Sequence, residues 1–144
     1  MPRNRSVLGL LSVGDLGPAM TDELLAPFDV AVIRTTAQHN DVEESALREA
    51  LADHQRTMQE NPGVEDLVYE WRKQYDDPVV ARTESVFIVA VPPTVWEEYG
   101  DYLDLDESLL GAVAAVHQEQ TTRTEDATLD GVPEGHTVIV VGRA

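Results

Sequence analysis

The chain has 144 residues, the size of one ordinary domain. Hydrophobic residues make up 42% of it, enough for a core, which excludes a wholly disordered chain despite 27 acidic residues against 10 basic ones. The chain has no cysteine, which excludes disulfides, thiolate nucleophiles and Cys-bound metal centres.

The first 19 residues differ in composition from the rest of the chain. They are basic and rich in glycine, whereas the acidic character begins directly after Met20. Two interpretations of residues 1–19 stay open: a disordered N-terminal arm, or a start-site artefact with translation beginning at Met20. Residues 20–144 are predicted to form a single globular domain.

Three short and almost continuously apolar runs, rich in β-branched residues, predict strands that are covered on both faces. They are residues 29–34, 85–91 and 137–141. Residues 121–129 alternate loosely in polarity and predict an edge strand. The turn residues 130–135 would join that strand to the last apolar run as a C-terminal hairpin.

Helices are predicted between these runs. The first begins near Asp41, and its apolar face recurs at helical spacing. That face consists of Leu47, Ala50, Leu51, His54 and Met58. The second helix is predicted to begin with Pro62 at its first position, and its apolar face consists of Val64, Leu67, Val68, Trp71 and Tyr75. Capping signals at Thr94 and Asp104 predict two more helices, the first carrying Trp96 and the second carrying His117 on its apolar face.

The predicted order is strand, two helices, strand, two helices, strand. This alternation favours an α/β fold with helices over a small sheet of three to four strands. The C-terminal hairpin would make the class α+β instead, and the sequence leaves that alternative open. A sheet this small is readily extended by a second copy, so the sequence predicts a homodimer as one mode of association.

His54 and His117 are the first candidate ligand-binding residues, because both fall on apolar stripes. In the structural interpretation they are core histidines whose hydrogen bonds are satisfied. In the functional interpretation both line one pocket beside Trp71 or Trp96, where they bind a small molecule or titrate near neutral pH.

Tyr69 and Arg72 are the candidate interface residues. They lie off the stripe that carries Trp71 and Tyr75, so they are expected on the surface of the second helix. Tyrosine and arginine often anchor protein interfaces. We therefore predict that this surface contacts a protein partner, if the protein has one.

Signatures of cofactors and metals fail on spacing. Residues 9–14 have the glycine spacing of a phosphate loop, but Asp15 stands where that loop needs lysine. No two of the four histidines lie at the helical spacing of a metal pair, so no cofactor and no specific metal are predicted. The arginines form no basic stripe, which argues against nucleic acid as a partner. No apolar run approaches the ~18 residues that span a bilayer.

The acidic residues are spread along the chain, its net charge is -17, and Lys73 is its only lysine. This composition resembles that of the cytosolic proteins of extreme halophiles, haloarchaea in particular. The resemblance implies a cytoplasmic protein that works at high salt, where the screening length falls to ~3 Å at 1 M and self-repulsion weakens. It names an environment and implies no activity.

Two classes of function follow. The lack of every catalytic signature favours a small binding or adaptor protein without catalytic activity. The alternative is a small-ligand-binding protein or a hydrolytic enzyme whose site is assembled from dispersed histidines and carboxylates, since catalytic groups need only meet in space. The sequence leans against an enzyme without deciding the question.

Overall fold

The structure is a computed structural model that describes residues 23–60, 63–75, 77–124 and 132–143. Within these ranges it contains five α-helices and three strands. In chain order they are α1 (Val30–His39), α2 (Glu44–Glu60), α3 (Val64–Gln74), β1 (Val79–Arg82), β2 (Val86–Val91), α4 (Pro93–Leu103), α5 (Glu107–Thr122) and β3 (Thr137–Gly142). The N-terminal segment 1–19 lies outside the described residues.

The three strands form one antiparallel sheet in the order β1-β2-β3. Every residue of the central strand β2 is buried, as its continuous apolar sequence predicts. The mixture of helices with a small three-stranded sheet confirms the predicted α/β class. Within the described ranges, no helix combines the length and the apolar character needed to cross a bilayer.

The first predicted strand is wrong, because residues 29–34 begin helix α1. The buried residues of α1 are Val32, Ile33, Thr36 and Ala37. This spacing is helical and continues beyond the apolar run, whereas Val30 is 53% exposed. A six-residue run with three β-branched side chains favours a strand locally, but packing of the helical stripe against the core overrides that preference.

Strand β1 was not foreseen, and the edge strand predicted at 121–129 is wrong in its first residues. The Thr83 hydroxyl oxygen accepts hydrogen bonds from the N–H groups of Ser85 and Val86, which closes the turn between β1 and β2. Thr121 and Thr122 belong to the last turn of α5. Residues 125–131 lie outside the described residues, and with them most of the expected C-terminal hairpin.

The predicted helices are confirmed, with small changes at their starts. Helix α4 begins at Pro93 after Pro92, so Thr94 is already inside it. Helix α5 begins after Asp106, whose carboxylate accepts a hydrogen bond from the N–H of Leu109 at 2.8 Å. That bond satisfies one of the free donors of the first turn.

Side chains from α2 and α5 cover the outer edge of β3. Gln55 Nε2 donates to the carbonyl oxygen of Val140 at 2.7 Å, and Gln55 Oε1 accepts from the N–H of Gly142 at 2.9 Å. His117 Nδ1 accepts from the N–H of Val140 at 2.8 Å. These bonds replace those of a neighbouring strand, so β3 is closed to extension of the sheet. The predicted homodimer would have to use another surface.

Candidate functional site

Five rings pack against one another in the core and form what we call the ring cluster. Its members are Phe28, His54, Trp96, Tyr99 and His117. The two histidine rings lie 5.2 Å apart between centroids, and Trp96 lies 5.0 Å from His54 and 4.8 Å from His117. The structure therefore brings together three of the four residues proposed for ligand binding from the sequence.

Only one ring nitrogen of the ring cluster, His117 Nδ1, has a hydrogen-bond partner among the described residues. Because His117 Nδ1 accepts a hydrogen bond from Val140, the neutral ring must carry its proton on Nε2. That Nε2, both ring nitrogens of His54 and the indole nitrogen of Trp96 have no hydrogen-bond partner among the described residues. The structural interpretation of the histidines thus fits His117 better than His54.

Burial also determines the charge of the two histidines. Burial lowers the pKa of His54 from 6.5 to about 3. Burial lowers the pKa of His117 well below its usual value, and the neighbouring His54 lowers it further. Both rings therefore stay uncharged at neutral pH in the folded protein.

The ring cluster offers little for hydrolysis or metal binding. His54 is 1% exposed and His117 is fully buried, so neither ring meets solvent. No carboxylate belongs to the ring cluster, whereas hydrolytic histidines are usually oriented by one. Across the described ranges, no three histidine, aspartate or glutamate side chains are arranged to hold a metal ion.

Trp71, the fourth proposed ligand-binding residue, lies in a different place, the wall of an open groove between α3 and α4. The groove has a volume of about 410 Å³. Its lining residues are Thr57, Leu67, Trp71, Gln74, Tyr75, Val95, Glu98, Tyr99 and Tyr102. We call it the aromatic groove. Tyr99 connects it to the ring cluster, because its ring lies 4.5 Å from that of His54.

Tyr69 and Arg72 lie on the other side of α3, beside the sheet. They line a hollow of about 180 Å³ together with Glu65, Val68, Arg82 and Phe87, so one carboxylate also faces the hollow. Arg82 and Arg143 both place their guanidinium carbons over the Phe87 ring, at 5.7 and 4.6 Å from its centroid. We call this surface the cationic face and define it by Tyr69, Arg72, Lys73, Arg82 and Arg143.

The cations of this face are partly held in place. Arg143 Nη1 donates to the carbonyl oxygen of Thr83 at 2.7 Å, and its Nη2 lies 3.8 Å from a carboxylate oxygen of Glu65. Lys73 Nζ lies 5.2 Å from the ring centroid of Tyr69, whose side chain is 60% exposed. Sequence reasoning missed Arg82 and Arg143, which stand far from residues 69–73 in the chain.

A comparison with protein families places the chain in one of them. Residues 26–143 match the family described as Domain of unknown function (DUF8048), and the chain belongs to that family. A search of curated proteins and a search of solved structures found no match. The family description assigns no role to any residue, so the function has to be argued from the geometry of this chain.

Proposed function

We propose that the protein is a small non-catalytic binding protein, an adaptor, that docks an acidic surface of a partner protein on the cationic face. One observation carries the proposal. Eight lysine and arginine residues lie in the described ranges, and four of them, Arg72, Lys73, Arg82 and Arg143, gather on this face. The chain as a whole has a net charge of -17.

The charge distribution favours a single docking orientation. Most of the remaining protein surface is acidic and repels an acidic partner. Complementary charge at one patch therefore determines the orientation of a complex more than its affinity. Tyr69 adds an exposed ring at the edge of the patch. Tyrosine and arginine are the residue types enriched at the centres of protein interfaces.

The arginines of the face are suited to short-range recognition. Stacking on Phe87 restricts the guanidinium groups of Arg82 and Arg143 before any partner arrives. Restricted side chains lose less conformational entropy on binding. A guanidinium also binds a carboxylate through two parallel hydrogen bonds, which persist where salt screens long-range attraction.

The composition supports a cytoplasmic setting at high salt as part of the same proposal. At molar salt the self-repulsion of the chain is screened over ~3 Å, whereas at low salt it opposes the compact state. A second copy of this acidic chain would itself offer carboxylates to the cationic face, so the proposed homodimer is one form of the complex. Hydrolysis receives no support from the buried ring cluster.

The test is capture of a partner from cells in molar potassium chloride by two matched variants. The variant R72Q/R82Q removes two exposed cations from the face. The control R34Q/R123Q removes two exposed cations elsewhere, whose ion pairs with Glu44 and Glu119 are surface pairs of little energetic value.

We expect the native chain and the control to capture one stoichiometric partner, or to form a dimer whose mass light scattering measures. The variant R72Q/R82Q should lose this association. Equal retention by the two variants would place the interface elsewhere. A native chain that remains a monomer without a partner would contradict the adaptor function.

A further inference from the structure

We propose that the aromatic groove is a second binding site, separate from the cationic face, and that it takes a small organic cation, an alkylated ammonium compound. This inference goes beyond the adaptor function and does not depend on it. It rests on the size of the groove, the nature of its walls and the sign of its charge.

The size of the groove suits a small molecule. Its volume of about 410 Å³ falls within the range of roughly 300–1,000 Å³ that is typical of ligand sites. It is open on one side, and Tyr102 stands at its rim with 72% of its side chain exposed. A ligand can therefore enter without rearrangement of the core.

The walls of the groove are aromatic on both sides. Helix α3 supplies Trp71, Tyr75 follows its last residue, and helix α4 supplies Tyr99 and Tyr102. The face of an aromatic ring attracts a cation that lies within about 6 Å of its centroid. Alkylated ammonium groups gain most from such rings, because their methyl groups pack on the ring while the charge meets its negative face.

The negative charge of the groove also favours a positively charged ligand. Among the described residues that line it, Glu98 alone is charged. Its negative charge and burial together raise the pKa of Tyr99 to about 12, burial being the larger cause, so this phenol stays neutral. A lone carboxylate does not hold a hard metal ion, which needs several oxygen ligands. An anion would be repelled, so Glu98 together with the aromatic walls favours an organic cation.

The test is an NMR titration of the full chain with choline and with its neutral carbon isostere, 3,3-dimethyl-1-butanol, at constant molar potassium chloride. The two indole N–H signals report separately. Both indoles are 5% exposed, but Trp71 lines the groove, whereas Trp96 packs in the ring cluster and does not line it. We expect choline to shift the Trp71 signal and to bind about tenfold more tightly than the isostere.

Variants then assign the effect to residues. Glu98→Gln is expected to weaken choline binding about tenfold, while Glu97→Gln, its exposed neighbour outside the groove, leaves it unchanged. Tyr102→Leu should weaken binding, and Tyr102→Phe should restore it, because phenylalanine keeps the ring face.

Three results would overturn the inference. One is a Trp71 signal that does not respond to choline. Another is equal binding of choline and the isostere with no effect of Glu98→Gln, which would make the groove simply apolar. The third is choline binding that Glu97→Gln and Glu98→Gln weaken equally, which would reduce it to general attraction by an acidic surface. None of these outcomes bears on partner capture by the cationic face.

Discussion

Helix α3 separates two regions of opposite chemistry. Tyr69 and Arg72 point to the cationic face, where Tyr69 is 60% exposed. Trp71 lines the aromatic groove on the other side of the helix and is 5% exposed. Residues two positions apart on a helix are separated by about 200° around its axis, so one short helix presents both surfaces.

The two proposals would let one acidic chain bind two unlike ligands at separate sites. The cationic face, with arginines beside a ring, would bind carboxylates, and the aromatic groove, with rings beside Glu98, would bind a cation. Because the two ligands carry opposite charges, changes of charge in one region should disrupt binding there and not in the other.

The largest expected effect is on the free energy of unfolding, which substitutions on the two sides of α3 should change by different amounts. Trp71→Ala removes a buried ring and should lower the free energy of unfolding by about 3–5 kcal/mol. Tyr69→Ala removes an exposed ring and should change it by less than about 0.5 kcal/mol. Urea unfolding in molar salt measures both. Similar losses would mean that Tyr69 is part of the core and that the contrast is wrong.

The next effect is a loss of folding stability in acid, which arises from the buried histidines of the ring cluster behind the aromatic groove. The folded pKa of His54 is about 3 and that of the unfolded chain about 6.5, so the unfolded state binds protons first as pH falls. The stabilisation is complete above pH 6.5 and is lost as pH falls toward 3. At pH 5 the loss from His54 should be about 2 kcal/mol.

The pH effect is checked by unfolding between pH 7 and 5 with His54→Phe as the test variant and His39→Asn as the control. His39 is exposed and lies outside the ring cluster, so its replacement shows whether loss of any histidine has the same effect. The variant His54→Phe should show a shallower loss toward acid. An unchanged slope would contradict the uncharged buried state of His54.

A smaller effect concerns how the cationic face is built. Arg143→Lys keeps the charge but loses the planar group that stacks on Phe87 and donates to Thr83. We expect stability to fall by about 1 kcal/mol and partner affinity to fall with it. If lysine served equally well, charge alone would suffice, and the stacking contact would have no role in recognition.

The smallest effect concerns the electrostatics of the groove. Glu98→Gln should lower the pKa of Tyr99 from about 12 by a fraction of a unit, because burial is the larger cause of the shift. Ultraviolet titration of the phenols, with Tyr99→Phe to identify the signal, measures it. A pKa that does not move would mean that Glu98 does not act on the groove.

The elements that the sequence predicted well are the long periodic ones. The apolar stripes of α2 and α3 repeat over several turns, so their helical conformation follows from the local sequence and agrees with the tertiary packing. The run at 29–34 is too short for its period to be read, so tertiary packing made it helical. His54, His117 and Trp96 met because each lies on the inward stripe of a helix that packs into the same core.

The strand part of the cationic face could not be predicted, because strand pairing alone brings Arg82 and Arg143 together. The antiparallel register aligns Gly142 with Val86 and Arg82 with Phe87. That register brings Arg143 to the turn between β1 and β2 and places both guanidinium groups over one ring. No local pattern in the sequence encodes this meeting. Tyr69 and Arg72 were found only because they lie off a stripe.

The most direct measurement of the central claim is hydrogen–deuterium exchange of the native chain, alone and with its captured partner or as its dimer. We expect binding to slow exchange at residues 82–86 of the β1–β2 turn and to leave exchange in helix α4 unchanged. Protection of α4 with an unchanged turn would place the partner in the aromatic groove. That result would contradict docking on the cationic face.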